Sequence, residues 1–310
     1  MHPRTQSIRV ISKELSNIAA KQLNEDPKRT RETLEAFDEW LKKQRHLQVR
    51  NDYQHLIAFL RGCKWSLERA KQKIDGYYTF KTLIPELFRE RDPLSDEMQA
   101  ARRTGLIALL PNGKGHAGPR TLFITFHEAI SVLTTCKALT SAVDMLMIED
   151  DNAVISGLQI IADFSGITAG HLLHCTPALM KKCATCIEKM YPIRMNKLIT
   201  INTPKPAEVI YNTLVNPFLS DKLKKRAFVL SIQGWKEAVG NDILSLLPLE
   251  YGGDNLPLNF LKDEWSRKFK SYRDWFIEDD TYSCDETYRS RYTCSKDLGM
   301  EGSFRKLSID

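Results

Sequence analysis

Long apolar runs are missing from this 310-residue chain, and so is any framework of regularly spaced cysteines. No uninterrupted apolar stretch approaches the roughly 20 residues that a membrane-spanning helix needs. The first residues, MHPRTQSIRV, lack the apolar centre of a secretory signal peptide. The seven cysteines are an odd number without regular spacing, which favours reduced thiols. We therefore expect a cytoplasmic protein whose membrane contact is peripheral and reversible.

Catalytic and phosphate-binding motifs are also scarce. The run DFSG at residues 163–166 lacks the flanking glycine of a GxSxG nucleophile motif, and we interpret Asp163 as a turn carboxylate at a strand end. The run NGKG at residues 112–115 lacks the spacing of a phosphate-binding loop and is interpreted as a hairpin turn. We predict that the chain is not an enzyme, while an enzyme that acts on a lipid remains an alternative.

Two groups of zinc-type ligands occur, HLLHC at residues 171–175 and the CxxC formed by Cys183 and Cys186. On one continuous helix the two groups would be eight or more residues apart, which is about 12 Å at 1.5 Å per residue. Only a break in that helix would let them meet on one ion, and Pro177 is a candidate for such a break. We predict no metal site.

The charge of the chain is unevenly distributed. Its hydrophobic content of 42% and charged content of 27% are ordinary for a globular protein, and its net charge is +6. Between Tyr191 and Arg226, however, seven Lys or Arg residues face two acidic residues, Glu208 and Asp221. Residues 278–286 are acidic by contrast. The stretch from Tyr191 to Arg226 therefore carries most of the excess positive charge.

Helical and strand patterns predict four regions: a flexible leader (1–25), an N-terminal helical lobe (26–100), an α/β domain (101–255) and a C-terminal return segment (256–310). In the lobe, helices are expected to begin at Asp26-Pro27, at Asn51 or Asp52, and at Ser66. In the third region strands alternate with helices, which indicates a mostly parallel sheet.

Two long elements are expected within the α/β domain. Residues 155–164 form an apolar run that predicts a strand, and residues 168–190 have the spacing of one long helix.

Residues 191–226 predict an apolar helix between two proline turns. Met195 to Thr203 is a β-branched strand that ends at Pro204, and a short helix follows over residues 207–215. A second turn at Asn216-Pro217 leads into a basic cluster. An apolar helix with a turn and cations at each end suits a lid that opens onto a membrane.

The motifs of this stretch resemble the CRAL-TRIO lipid-binding family. They are YP at residues 191–192, a strand ending in N-x-P, the tripeptide PFL and the basic run, together with ADFSG at 162–166 and LPLEYGG at 247–253. The resemblance covers roughly residues 52–253 and is strongest to the tocopherol-transfer and retinaldehyde-binding members. It implies an N-terminal helical lobe and an α/β domain in which a mobile lid helix covers an apolar pocket floored by the sheet.

The resemblance also implies positions for the site residues. Those that match a ligand pocket are Leu158, Ile160, Cys183, Cys186, Ile187 and Ile193, with the two cysteines acting as small apolar side chains. Those expected in the lid are Val209, Ile210, Leu214 and Phe218. Those that match basic positions for a phosphoinositide headgroup are Arg194, Lys222 and Arg226, with Arg61 of the helical lobe as a further candidate.

The ligand is expected to be a hydrophobic small molecule of the tocopherol, retinoid or carotenoid type. Ile193 stands where phosphatidylinositol-transfer members have a glutamate that holds the inositol headgroup. An apolar wall would leave buried inositol hydroxyls unpaired, at about 1–3 kcal/mol each. We expect no cofactor besides this lipid, no nucleic-acid partner, a monomer, and docking on phosphoinositide-containing membranes. The alternatives are a phosphatidylinositol-type exchanger and a lipid-regulated scaffold.

Overall fold

The N-terminal part of the chain is a helical lobe. The computed structural model describes residues 7–112 and 117–289. The elements of the lobe are α1 (Lys13–Leu23), α2 (Thr30–Lys42), β1 (Leu47–Gln48), α3 (Tyr53–Gly62), α4 (Leu67–Leu83), α5 (Pro85–Phe88) and α6 (Asp96–Arg103). Of the two predicted candidates, Asp52 caps α3, because its carboxylate accepts the His55 N–H at 2.9 Å.

The expectation of a flexible leader is wrong for residues 13–23, which form α1. Ser12 caps this helix, since its hydroxyl accepts the Leu15 N–H at 3.2 Å. Leu15, Ala19 and Leu23 recur every four residues, so they share one face and are buried together with Ile155. The apolar spacing was present in the sequence, but polar neighbours concealed it.

The second helix begins later than Asp26-Pro27 predicted. The Asp26 carboxylate accepts the Lys28 N–H at 2.9 Å, which closes a turn, and α2 starts at Thr30. Ser66 occupies the cap position of α4, although its side chain makes no capping hydrogen bond. The local hydrogen bond of Asp26 therefore replaces the capping role that the sequence predicted.

A five-stranded sheet forms the centre of the second region, in the order β2-β3-β4-β5-β6. Its elements are β2 (Ile107–Leu110), β3 (Arg120–Thr125), α7 (Val132–Glu149), α8 (Asp151–Ser156), β4 (Leu158–Asp163), α9 (Ala169–Leu173), α10 (Pro177–Thr185), β5 (Met195–Thr203), α11 (Lys205–Ile210), α12 (Asp221–Lys224), β6 (Ala227–Ser231), α13 (Trp235–Val239) and α14 (Asn241–Leu244). Strand β2 is antiparallel to β3, and the other neighbours are parallel. The mixed α/β fold with a mostly parallel sheet is confirmed. The turn predicted at 112–115 falls largely outside the described residues.

The long helix expected over residues 168–190 is broken into three pieces. Helix α9 ends at Leu173, and α10 starts at Pro177, where the missing proline N–H costs nothing in the first turn. The Thr176 hydroxyl accepts the Leu179 N–H at 3.2 Å and so caps the new helix. A π-helical turn over Cys186–Met190 follows α10 without interruption. The break lies where Pro177 indicated it.

The strand expected from residue 155 begins only at Leu158. Helix α8 occupies the preceding residues, and Gly157 separates the two elements with φ of 98°. A Cβ at Gly157 would lie 2.6 Å from the Arg194 carbonyl oxygen, so both the conformation and the space favour glycine there.

The two faces of the sheet bury different clusters. Ile160 on β4 joins the larger core, which also includes the helical lobe and α7. Its neighbour Ile161 points to the opposite face and packs with Phe123, Ile199 and Trp235. One face of the sheet therefore meets the lobe, and the other meets α13 and α14.

The C-terminal segment returns to both regions. Its elements are α15 (Leu258–Ser271), α16 (Arg273–Asp279) and β7 (Ser283–Cys284). Strand β7 pairs antiparallel with β1 of the helical lobe, with Leu47 opposite Cys284. With these helices included, no helix of the described ranges is long and apolar enough to cross a membrane.

Four buried charged residues join the three regions: Lys81, Arg91, Asp144 and Asp279, which we call the buried charge cluster. Arg91 donates to Asp144 at 2.6 Å and to Asp279 at 2.5 Å, and Lys81 also donates to Asp279. Tyr77 donates its hydroxyl to Asp144 at 2.8 Å. Each member of the cluster is at most 2% exposed. The cations hold the pKa of Asp279 below its ordinary value against the effect of burial.

His55, a further buried titratable group, leads us to expect that the stability of the fold depends on pH. Burial lowers the pKa of His55 to about 3, from an ordinary value of 6.5. The unfolded chain therefore binds the proton more readily between these two pH values. We expect the free energy of unfolding to fall on acidification below pH 6.5, by up to about 1.4 kcal/mol per pH unit. Urea unfolding of wild type and His55→Phe at pH 7 and pH 5 measures this, and equal pH dependence in both proteins would contradict it.

Candidate functional site

An apolar cavity of about 80 Å³ lies between α7, β4, α10 and the π-helical turn. All six residues that the sequence assigned to a ligand pocket line it: Leu158, Ile160, Cys183, Cys186, Ile187 and Ile193. Sequence reasoning missed the other lining residues, which are Leu87, Cys136, Leu139, Thr140, Val143, Tyr191 and Met195. Four of these lie on α7 at three- and four-residue spacing, so they share one face of that helix.

The polar groups of the cavity wall are hydrogen-bonded to the protein itself. The Thr140 hydroxyl donates to the Leu87 carbonyl oxygen at 2.9 Å. The Tyr191 hydroxyl donates to the Thr140 carbonyl oxygen at 3.1 Å, and burial raises the pKa of Tyr191 well above its ordinary value. The cavity therefore presents a mainly apolar wall, with no charged side chain among those that line it.

Three thiols belong to this wall. The sulfur atoms of Cys136 and Cys183 are 3.4 Å apart. Cys186 is buried, and its burial raises the pKa of its thiol well above the ordinary value. Neither histidine of the HLLHC run meets these thiols: His171 completes the cap of α9 with Thr168. Within residues 7–112 and 117–289, no group of three or more His, Cys, Asp or Glu side chains is placed to hold a metal ion.

The predicted lid consists of α11 and a π-helical turn over Tyr211–Val215. Val209 on α11 is 59% exposed, whereas Ile210 and Leu214 are half-buried. Phe218, which the sequence also placed in the lid, lies in the following 3-10 turn and is 37% exposed. None of these four belongs to the described lining of the cavity.

The lid is connected to the cavity through α10. Tyr211 and Val215 pack against a buried cluster that includes Ala184 near the end of α10, and Ile187, which lines the cavity, packs against the same cluster. The structure thus places α10 and the first π-helical turn, rather than the lid, directly over the cavity.

A second pocket, of about 320 Å³, carries the basic residues, and we call it the basic pocket. Arg194, Lys222 and Arg226 line it together. Arg226 is positioned by a hydrogen bond of 2.5 Å to the Met195 carbonyl oxygen, and Arg194 by one of 3.2 Å to the Ser156 carbonyl oxygen.

Arg61 lines the basic pocket but is already paired. Its guanidinium donates to both carboxylate oxygens of Glu25, at 2.9 and 3.0 Å, and to Asp151 at 2.7 Å. The side chain is 3% exposed. Because two carboxylates occupy its donors, Arg61 connects α8 and the segment just after α1 to α3. Sequence reasoning missed two other cations of this pocket, Lys64 and Lys73.

The apolar cavity and the basic pocket have a common wall. Ile187, Tyr191, Ile193 and Met195 line both. Glu188, on the same π-helical turn as Ile187, accepts the Ser220 N–H at 2.7 Å at the start of α12, which carries Lys222. A shift of this turn would therefore change both pockets together.

Asp163 has the structural role that the sequence predicted. Its carboxylate accepts the Ser165 N–H at 2.9 Å, the Asn202 side-chain amide at 2.8 Å and the Tyr251 hydroxyl at 2.5 Å. The motifs ADFSG, N-x-P and LPLEYGG thus converge on one carboxylate. Asn202 adopts φ of 53°, which asparagine tolerates better than most residues.

Family models match two parts of the chain. A family model described as the CRAL/TRIO domain matches residues 113–253, and one described as the Pinta-like UBA domain matches residues 26–98. Alpha-tocopherol transfer protein-like of Homo sapiens is 24% identical over 250 residues, which cover 78% of this chain and 71% of that protein. Clavesin-1 of Mus musculus is 25% identical over 260 residues, which cover 80% and 69%. The crystal structure of Sfh5 aligns with a TM-score of 0.39 and 13% identity, over 74% of this chain and 84% of that one.

The residues that match the CRAL/TRIO model include most of the cavity wall and the lid. They also include three cations of the basic pocket, Arg194, Lys222 and Arg226. The motifs that carried the resemblance lie in the same range. Residues 113–253 of this chain are a CRAL/TRIO domain.

Proposed function

We propose that this protein carries a hydrophobic small molecule of the tocopherol, retinoid or carotenoid type and exchanges it at phosphoinositide-containing membranes. The observation that carries the proposal is the common wall between an apolar cavity and a basic pocket. The cavity supplies a site for a lipid, and the basic pocket supplies cations for an anionic headgroup. The name of the relative Alpha-tocopherol transfer protein-like supports this class of ligand. We propose a cytoplasmic monomer that docks reversibly, without a cofactor.

The composition of the cavity wall supports a ligand with few polar atoms. Thr140 and Tyr191 already use their hydroxyl hydrogens within the protein, and the remaining lining side chains are apolar or thiols. An inositol headgroup placed there would leave several hydroxyls without partners, at about 1–3 kcal/mol each. Ile193 adds an aliphatic side chain to the same wall.

The size of the cavity implies that binding needs an opening movement. Ligand pockets are commonly about 300–1,000 Å³, several times the present volume. The wall with the least regular backbone is α10 with its π-helical turn, and the lid packs on that wall. We propose that α10 and the lid move as one unit to admit the ligand.

A membrane surface would favour this movement. Exposing the apolar side of the lid in water costs about 25 cal/mol per Å², whereas the boundary of a bilayer accepts such a surface. Leu173 and Val209 are already exposed apolar residues on α9 and α11. A headgroup bound in the basic pocket would contact the wall that this pocket shares with the cavity, and so would influence the movement of that wall. Because such coupling is reciprocal, loading with lipid should change the affinity for phosphoinositide.

Native mass spectrometry of the full chain, purified from cells that make these lipids, tests the proposal. A bound tocopherol, retinoid or carotenoid is the expected result. A bound phospholipid would instead favour the alternative of a phosphatidylinositol-type exchanger. An empty protein that also fails to move a fluorescent tocopherol analogue between vesicles would favour the lipid-regulated scaffold.

Removing two charges of the basic pocket should weaken membrane docking. We expect Lys222→Gln/Arg226→Gln to lose about 2 kcal/mol of binding free energy, since each cation contributes about 1 kcal/mol at an anionic surface. Sedimentation with vesicles that contain phosphatidylinositol bisphosphate measures this. The matched control is Lys224→Gln/Lys225→Gln, which removes the same charge from the same segment but outside the pocket lining. Equal losses in the two variants would show that only net charge matters.

A further inference from the structure

Two thiols in the wall of the apolar cavity contact each other. Cys136 lies on α7, Cys183 lies in the last turn of α10, and their sulfur atoms are 3.4 Å apart. A disulfide bond measures about 2.05 Å, so the atoms need to approach by little more than 1 Å. Both residues are half-buried, because the cavity lies beside them. The pair therefore combines proximity with access for a molecule inside the cavity.

The helix that carries Cys183, α10, is built so that it can move toward Cys136. Helix α10 is nine residues long, starts at Pro177 and runs into the irregular π-helical turn. It is not continuous with α9, because residues 174–176 separate the two. A short helix with two irregular ends adjusts its position more easily than α7, which has 18 residues and is mostly buried. We expect α10 to supply the movement.

The other described thiols are less suited to oxidation. Burial raises the pKa of Cys63, Cys186 and Cys284, and Cys175 donates its thiol hydrogen to the His171 carbonyl oxygen at 3.4 Å. The contact within the pair acts in opposite directions on the pKa of its two thiols, because a hydrogen bond that stabilises one thiolate needs the other thiol to keep its proton. It lowers the pKa of Cys183 and raises that of Cys136. Cys183 is thus the thiol with the most thiolate character in this group.

We propose that Cys136 and Cys183 form a redox site of the cavity, which an organic hydroperoxide oxidises to a disulfide that restricts lipid loading. The proposal relies on the proposed function only for the lipid-loading readout. The disulfide itself is measured independently.

The chemistry uses the two thiols and one hydroperoxide. The Cys183 thiolate attacks the outer oxygen of the hydroperoxide, the O–O bond breaks, and the alkoxide takes a proton to leave as the alcohol. Cys183 is then a sulfenic acid. The Cys136 sulfur attacks the Cys183 sulfur, the S–S bond forms, and hydroxide leaves with the Cys136 proton as water. Two thiols are oxidised, one hydroperoxide is reduced to an alcohol, and a thiol reductant restores the starting state.

The cavity favours an organic hydroperoxide over hydrogen peroxide. Its wall has few polar groups, and the hydroxyl hydrogens of Thr140 and Tyr191 are already donated within the protein. An alkyl or aryl group gains free energy by entering such a space, whereas hydrogen peroxide loses hydration there. A lipid cargo that has itself been peroxidised is the natural member of this chemical class.

The disulfide would connect the fixed and the movable walls. Helix α7 belongs to the main core, whereas α10 supports the lid through Ala184. A bond between Cys136 and Cys183 holds α10 against α7 and so opposes expansion of the 80 Å³ cavity. Oxidation should therefore slow the uptake of lipid and leave the basic pocket accessible.

The test uses the reduced full chain treated with one equivalent of cumene hydroperoxide or of hydrogen peroxide. Peptide mass spectrometry should find Cys136 joined to Cys183, and uptake of a fluorescent tocopherol analogue should slow until a thiol reductant is added. Cys183→Ala should consume cumene hydroperoxide about tenfold more slowly than wild type, because the more ionised thiol is gone. Cys175→Ala, a thiol outside the cavity lining, should behave as wild type.

Absence of the Cys136–Cys183 peptide, or hydroperoxide consumption by Cys183→Ala at the wild-type rate, would overturn the proposal. Faster oxidation by hydrogen peroxide than by cumene hydroperoxide would overturn the assignment of the oxidant. If the reduced protein does not take up the tocopherol analogue, the proposed function fails, and the cross-linked peptide decides the redox site on its own.

Discussion

Replacing Leu139 with aspartate should abolish the uptake of a fluorescent tocopherol or retinoid analogue. Leu139 lines the apolar cavity from α7 and does not line the basic pocket. A carboxylate there has no polar partner on the cavity side, and transfer of an unpaired charge into an apolar space is strongly unfavourable. The charged side chain would therefore retain water where the ligand must bind. Fluorescence titration of the purified variant measures the loss.

The matched control for this variant is Leu249→Asp. Leu249 is 57% exposed and lies outside the cavity lining, so the same substitution there should leave uptake unchanged. Circular dichroism and thermal unfolding of Leu139→Asp separate lost binding from lost folding. A folded Leu139→Asp variant that takes up the analogue as wild type does would show that this cavity is not the ligand site.

Replacing Asp279 with alanine should cause a large loss in the free energy of unfolding. Asp279 accepts hydrogen bonds from Arg91 and Lys81, and all three side chains are buried. Without it, two buried cations share only Asp144. Breaking a buried ion pair by removing one partner costs about 3–5 kcal/mol. We expect a loss of this size in the free energy of unfolding, measured with urea at pH 7.

Asp274→Ala is the control for this prediction. Asp274 lies in the same helix, α16, and is exposed, so its replacement should cost less than about 1 kcal/mol. Losses of similar size in the two variants would mean that the buried charge cluster does not stabilise the fold. Acidification should reproduce part of the Asp279→Ala effect. The folded pKa of Asp279 is lowered, so its contribution is present above its ordinary unfolded value and is lost as pH falls through the folded value.

The pocket residues could be predicted because local motifs fix the strands and turns that carry them. Ile160 is on a central strand, and Cys183 and Ile187 follow one another on one helical path, so their spacing transfers between related chains. The α7 wall was missed for a physical reason. Leu139 and Cys136 are part of a helix that is apolar on nearly every side, so its pattern does not indicate which side meets a cavity.

The pairing of Arg61 was not predictable from its own sequence neighbourhood. Its partners Glu25 and Asp151 are 36 and 90 residues away along the chain. A basic residue in a helix has the same local pattern whether it is solvated, paired or bound to a headgroup. Glu25 lies just past α1, in the segment that the sequence presented as a leader, so the fold of that segment brings Arg61 its partner.

The buried charge cluster also affects how the chain acquires its structure during synthesis. Lys81 and Arg91 emerge from the ribosome long before Asp279, since 198 and 188 residues separate them from it. Until Asp279 emerges, the helical lobe and the sheet hold two cations for one carboxylate, Asp144. We expect nascent chains that stop before α16 to remain loosely packed and to depend on chaperones, and the final compaction to follow the release of the C-terminal helices.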